Sequence, residues 1–307
     1  MPIDTSFDFR TDTPSGKDPD AHSPTLRRYH KLLWSKPLPN GRHFELADTV
    51  RGVYLHHRSE LGEFFLSSDS VIPTFTRWLA LKHITGLFSD EENEAFRHIG
   101  YTIGAMMLFP GNRIEGKWTI NQARGCLPKI SDRLDLTLEC IRRYYLGQRS
   151  PLGETLARYR GFFALFNSFS EYVNFFMLQD LVTGDCSAVM FFMPFDDFKT
   201  PSVPKDGDSY RVYRRLSIEF IEARTAGSPD TRTICGSSIV GVRRLAVQRS
   251  CTISAPPLWL GSMNLPSAAN TAATMPEALR PAFSYMACGL SCSMKLSGST
   301  SVRTLRP

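Results

Sequence analysis

Three cationic side chains, Arg113, Lys117 and Arg124, fall in one polar run, Phe-Pro-Gly-Asn-Arg-Ile-Glu-Gly-Lys-Trp-Thr-Ile-Asn-Gln-Ala-Arg-Gly, over residues 109–125. Guanidinium forks match phosphate and carboxylate bidentately. Asn112 and Asn121 add amide donors and acceptors, and Gly111, Gly116 and Gly125 permit backbone angles closed to other residues. The run therefore reads as a site for a small polar, anionic ligand held by Asn112, Arg113, Lys117, Asn121 and Arg124. The competing reading is a buried polar plug, with the arginines paired to Asp132, Asp135 or Glu139. The order Gly-x-x-x-x-Gly-Lys-Ser/Thr after a strand is missing, so the run is not a nucleotide P-loop.

Other constellations carry less. His56-His57 with Glu60 and Glu63 lacks the His-Glu-x-x-His spacing that sets two imidazoles on one helical face. Strand alternation sends the two histidines to opposite sides, one packed and one exposed. Asp8, Asp12, Asp18 and Asp20 with His22 fit no calcium loop, and in a stretch so rich in Pro, Ser and Gly they read better as turn-making acids. They still motivate a second reading from another class, a hydrolase or transferase using these acids and His22 or His30. That reading requires the N-terminal arm to fold over the 109–125 loop. There is no Gly-x-Ser-x-Gly elbow and no cysteine patterned with a base. No metal or cofactor is expected.

The elements that position these groups follow from hydrophobic period. Ile130, Leu134, Leu138, Ile141 and Tyr145 share one face of a helix over 129–145, with Ser131 as N-cap and Gly147 as stop. Asp132, Asp135, Glu139, Arg142 and Arg143 lie largely off that face. Residues 25–35 form another helix, and 43–71 read as two or three strands of a small antiparallel sheet. A helix from residue 73 ends near Gly86. Ser89 and Glu92 make a capping box that opens a helix carrying Phe96, Ile99, Ile103 and Met106 or Met107 before Pro110.

Residues 155–182 are apolar on every side and predict a central buried helix, or two helices broken near Ser168. Arg158, Arg160, Asn167, Glu171, Asn174 and Asp180 argue against a membrane span there. Residues 188–194 read as a buried strand, and 210–224 as a helix with Tyr213, Leu216, Phe220 and Ile221 inward. The expected architecture is α+β, mainly helical, with helices packed around a long apolar helix and a small antiparallel sheet.

At 307 residues and 42% hydrophobic content the chain can bury a real core. Its net charge of +6 resembles a nucleic-acid signal until its distribution is read: eight basic but only two acidic side chains lie beyond residue 226, leaving 1–226 balanced. Nucleic acid is thus not the expected partner. The N-terminus lacks a basic start before an apolar stretch, and the seven cysteines include no Cys-x-x-Cys pair, so a cytoplasmic protein with reduced thiols is expected. After residue 224 the composition shifts to Ser, Thr, Ala, Pro, Gly and Arg without an apolar period. Residues 1–224 read as one domain, and 225–307 as a poorly structured basic tail or an out-of-frame translation, the second being favoured.

Phe7-Asp8-Phe9, Asp12-Thr13-Pro14, Lys17-Asp18-Pro19-Asp20, Leu33-Trp34-Ser35-Lys36 and Phe109-Pro110-Gly111-Asn112-Arg113 together resemble a family of uncharacterised bacterial proteins known only as a domain of unknown function. The segments 132–143 and Gln179-Asp180-Leu181-Val182 extend the likeness, which covers residues 5–224 and then stops. The resemblance implies a single domain and supplies no reaction and no site.

Overall fold

The structure, a computed structural model, describes residues 3–47 and 55–226. The arm ends in α1 (Pro19–His22) and α2 (Pro24–Trp34), each entered through a serine or aspartate cap and a proline in its first turn. β1 (Lys36–Pro37) and β2 (His43–Phe44) form a two-stranded antiparallel pair. β3 (Leu55–Ser59), β4 (Gly62–Ser70) and β5 (Met106–Pro110) form a three-stranded antiparallel sheet in the order β3-β4-β5. Between β4 and β5 come α3 (Lys82–Thr85) and α4 (Asp90–Gly100). The capping box is present, with Ser89 N–H donating to Glu92 at 2.9 Å and Glu92 N–H to the Ser89 hydroxyl at 3.2 Å.

After β5 the chain is helical: α5 (Ile120–Cys126), α6 (Leu134–Tyr145), α7 (Gly153–Arg158), α8 (Arg160–Phe163), α9 (Phe169–Phe175) and α10 (Gly207–Ala226). The protein is thus α+β, with ten helices and two small antiparallel sheets among the described residues. No long apolar helix occupies the centre. The 155–182 segment is three short helices, broken at Tyr159 and again before Ser168, which caps α9. Its apolarity comes from an aromatic cluster. Phe162, Phe163, Phe166, Tyr172, Phe175 and Phe176 are all buried, with ring centroids 4.9 Å apart in the closest pairs.

Three other expectations are corrected. Residues 103–110 leave the helical path, because Tyr101 ends α4 and β5 pairs its apolar residues with β4. Residues 188–194 form no strand beyond one bridge from Val189 to Val182. Residue 131 is not the cap of α6, which starts at Leu134; Asp135 and Glu139, placed off its apolar face, are buried because each has guanidinium partners. Arg133 and Asp135 form an ion pair with no exposed surface, and Asp135 also accepts the Phe192 N–H at 2.9 Å. Glu139 receives both Arg142 and Arg143.

α10 closes the domain. Tyr213, Phe220 and Ile221 are buried as expected, whereas Leu216 is only partly covered and Tyr210 and Ser217 take inward positions. At its end Arg224 is 3% exposed and donates to the carbonyls of Gly104, Met106 and Phe176 at 2.9, 2.6 and 3.1 Å. Its guanidinium also lies 5.5 Å from the Trp34 ring centroid. A Cβ on Gly104 would stand 2.8 Å from the Ile221 carbonyl, so this glycine is what lets the end of α10 come so close. Among the described residues no helix is long and apolar enough to cross a membrane. The reading of residues 227–307 as a tail or frameshift product lies outside the described residues.

Candidate functional site

Loop 109–125 leaves β5 through Gly111, whose N–H donates to the Phe65 carbonyl at 2.8 Å. A Cβ there would meet the Ser67 hydroxyl oxygen at 2.9 Å, so the turn demands glycine. The loop ends at a second capping box, Thr119 with Gln122, which starts α5. Ile120 and Ala123 are buried under that helix, and at helical spacing Arg124 turns inward beside them. This divides the anticipated site in two. Asn112, Arg113 and Lys117 face outward, while Asn121 and Arg124 belong to an inner node.

Arg124, with no exposed surface, is the centre of that node. Its Nε donates to the Thr137 hydroxyl at 2.9 Å, one terminal nitrogen to Asp69 at 2.9 Å, and the other to the carbonyls of Asp132 at 2.8 Å and Ser70 at 3.2 Å. In return the Arg124 carbonyl accepts the Asp132 N–H at 3.0 Å, across a turn in which Ser131 and Asp132 both hold positive φ. Asn121 donates to the Ser67 hydroxyl at 3.1 Å and the Ser68 carbonyl at 3.3 Å. The arm reaches the same place: Asp20 accepts the Ser68 N–H at 2.7 Å and also bonds its hydroxyl. Asp18 caps α1 by accepting the Asp20 N–H at 3.0 Å.

Asp69 and Asp132 meet the Arg124 guanidinium, Asp18 and Asp20 stand near enough to Asp69 to interact with its charge, and the acidities of the four register the crowding. Burial, with repulsion from Asp18 and Asp69, pushes Asp20 up to about 7. Burial and then the Asp69 charge raise Asp132 to about 8 against the pull of Arg124. Burial raises Asp18 and Asp69 as well. Carboxyls that titrate near neutrality can exchange protons with a substrate, which is the chemistry this node could supply. Among the described residues no three His, Cys, Asp or Glu side chains converge as metal ligands.

The outer half is built differently. Lys117 has only a 3.5 Å pair with Glu115, both side chains more than 60% exposed. Trp118 is 49% exposed. Arg158, from α7, donates to the Trp118 carbonyl at 2.9 Å and the Thr155 hydroxyl at 3.3 Å, and Tyr159 donates to the Asn112 carbonyl at 2.8 Å. Gly116, Lys117, Trp118, Thr155 and Arg158 line an open depression. Sequence reasoning passed over Arg158 because it lies 40 residues from Trp118, inside a run read only for its apolarity. An exposed tryptophan next to a lysine was the signal available.

The remaining candidates are structural. His56 and His57 are both buried, at 8% and 2%, correcting the expected exposure of one. His56 bonds Glu63 at 2.9 Å, and His57 stacks on Phe44 and bonds the Ser59 hydroxyl. His22 contacts the carbonyl of Asp18 and its charge acts on that carboxylate at the rim of the node, whereas His30 accepts the Trp34 indole N–H at 3.0 Å and packs elsewhere. Asp12 accepts from Ser23 and Thr25 at the start of α2, and Asp8 pairs with Arg10 and His98.

A family model described as a family of unknown function, DUF6994, matches residues 3–227, and the chain belongs to that family. No curated protein and no solved structure matches it.

Proposed function

We propose that the domain binds a small polar, anionic partner through the outward half of loop 109–125, with Asn112, Arg113 and Lys117 joined by Arg158. The observation that carries this reading is the outward exposure of Arg113 and Lys117 beside an open depression that Arg158 also lines. Lys117's exposed pair with Glu115 is worth little and yields to a better anion. Asn121 and Arg124, grouped with these residues on sequence grounds, then support the loop from below. The test is thermal melting of the full-length protein with phosphate, sulfate and citrate. A ligand at a hundred times its Kd stabilises by about 2.7 kcal/mol. The melting temperature should rise with at least one anion and not in an R113A/K117A/R158A variant. A rise that persists in that variant, or none at all, removes the reading.

A second reading, a hydrolase or transferase, draws support from one observation: Asp20 of the arm and Asn121 of the loop both bond Ser68 of β4, next to Asp69 and its partner Arg124. Its histidine is His22, beside Asp18. Chromogenic phosphate esters and glycosides give its assay, and turnover unchanged in both D20N and D69N would sink it.

We take the setting to be a bacterial cytoplasm, in keeping with the unpaired thiols of Cys126, Cys140 and Cys186. The balanced charge of residues 1–226 disfavours nucleic acid as partner. We take the domain to end with α10, in line with the family match.

A further inference from the structure

The depression on the outer half holds more than cations. Trp118 is half exposed although its backbone is fixed, its carbonyl tied to Arg158 and its neighbour Thr119 capping α5. Held on a fixed backbone, the ring would lose little freedom on contacting a partner. Arg158 is likewise held, by the Trp118 and Glu154 carbonyls and the Thr155 hydroxyl. Lys117 completes the wall.

We infer that this depression takes a flat heteroaromatic ring carrying one phosphate, as in a nucleoside monophosphate, with the ring against the Trp118 indole and the phosphate between Lys117 and Arg158. The inference rests on the anion-binding reading of the loop and adds the ring. An indole face stacks on any base, and a guanidinium with an ammonium is the usual cradle of a single phosphate. The charge sets the size of the ligand. Arg113, Lys117 and Arg158 stand against Glu115 and Glu154, one cation in excess, a small positive balance that neutralises a single phosphate more fully than a polyphosphate chain.

Calorimetric titration of the full-length protein with adenosine monophosphate, adenosine and inorganic phosphate tests this. The monophosphate should bind at least about tenfold more tightly than either of the others. Trp118→Ala should weaken the monophosphate about tenfold, at the lower end of what base stacking contributes, and leave phosphate binding unchanged. Trp118→Phe, which keeps a smaller ring, should fall between. If the monophosphate binds no more tightly than phosphate, or is unaffected by both Trp118 variants, the ring is not recognised, and phosphate binding that depends on Lys117 and Arg158 leaves the anion reading standing. If neither anion binds, the monophosphate reading falls, and the anion reading then stands or falls with sulfate and citrate.

Discussion

Asp20 and Ser68, 48 residues apart in the chain, are joined twice: the Ser68 backbone N–H and the Ser68 hydroxyl both meet the Asp20 carboxyl group, which is 9% exposed. The link fastens α1 of the arm to β4. It also buries a carboxyl group near two others, Asp18 and Asp69, and burial first, then their charges, raise its pKa from 3.8 to about 7. A raised carboxyl pKa means the folded state holds a proton that the unfolded chain has released. The stabilisation is therefore complete below about pH 4 and is lost as pH rises through about 7.

Asp20→Asn keeps both contacts, with the amide oxygen accepting from the Ser68 N–H and the amide nitrogen donating to its hydroxyl, and removes the charge. At pH 8 this variant should be as stable as the parent or more so, and its stability should vary less between pH 4 and 7. Urea unfolding at pH 5 and pH 8 measures both. A variant that loses stability equally at the two values would show that the carboxylate itself is required.

Arg124 serves Asp69, Asp132, Ser70 and Thr137 at once, so its removal strands a charge and two carbonyls. Arg124→Met should destabilise by about 3–5 kcal/mol, the usual cost of breaking a buried pair from one side. For a domain of this size that lowers the melting temperature by roughly 6–20 °C. Adding Asp69→Asn should recover part of the loss, since the uncompensated carboxylate is then gone. Strictly additive losses in a double-mutant cycle would mean the two side chains are not coupled.

Where the domain ends is also testable. Truncation after Ala226 retains Arg224 and its three carbonyl contacts and should leave the melting temperature unchanged or raised, with better solubility. Truncation after Ala223 removes those contacts and should lower it by on the order of 10 °C. If the longer form also falls by several degrees, residues beyond 226 are integral to the fold and their reading as out-of-frame translation is wrong.

Local signals in the chain were legible and distant ones were not. The Ser89–Glu92 box and the strands between 43 and 71 are written in neighbouring residues, and each is present. The 155–182 run conceals its breaks because it is buried on every side, and a segment with no polar face has no period to interrupt. Asp135 and Glu139 look like a solvated face until their guanidinium partners are placed. The loop's exposed residues, Asn112, Arg113 and Lys117, follow from composition. Arg124 does not, since its carboxylate partner Asp69 lies 55 residues upstream. Asp18 and Asp20 make turns as their setting suggests, but only the tertiary fold brings them to Asp69.

Among the described residues, positions 67–70 of β4 have a strand on one side only, β5, and Asp20 takes up the Ser68 N–H that points the other way. A sheet edge with free amides is a template onto which another chain can add, the first step toward self-association. Asp20 occupies that amide with a side chain that offers no continuing ladder. Asp20→Ala would then free that amide while leaving the buried Phe9 of the arm in place, and its first symptom would be aggregation of a protein whose core is still folded.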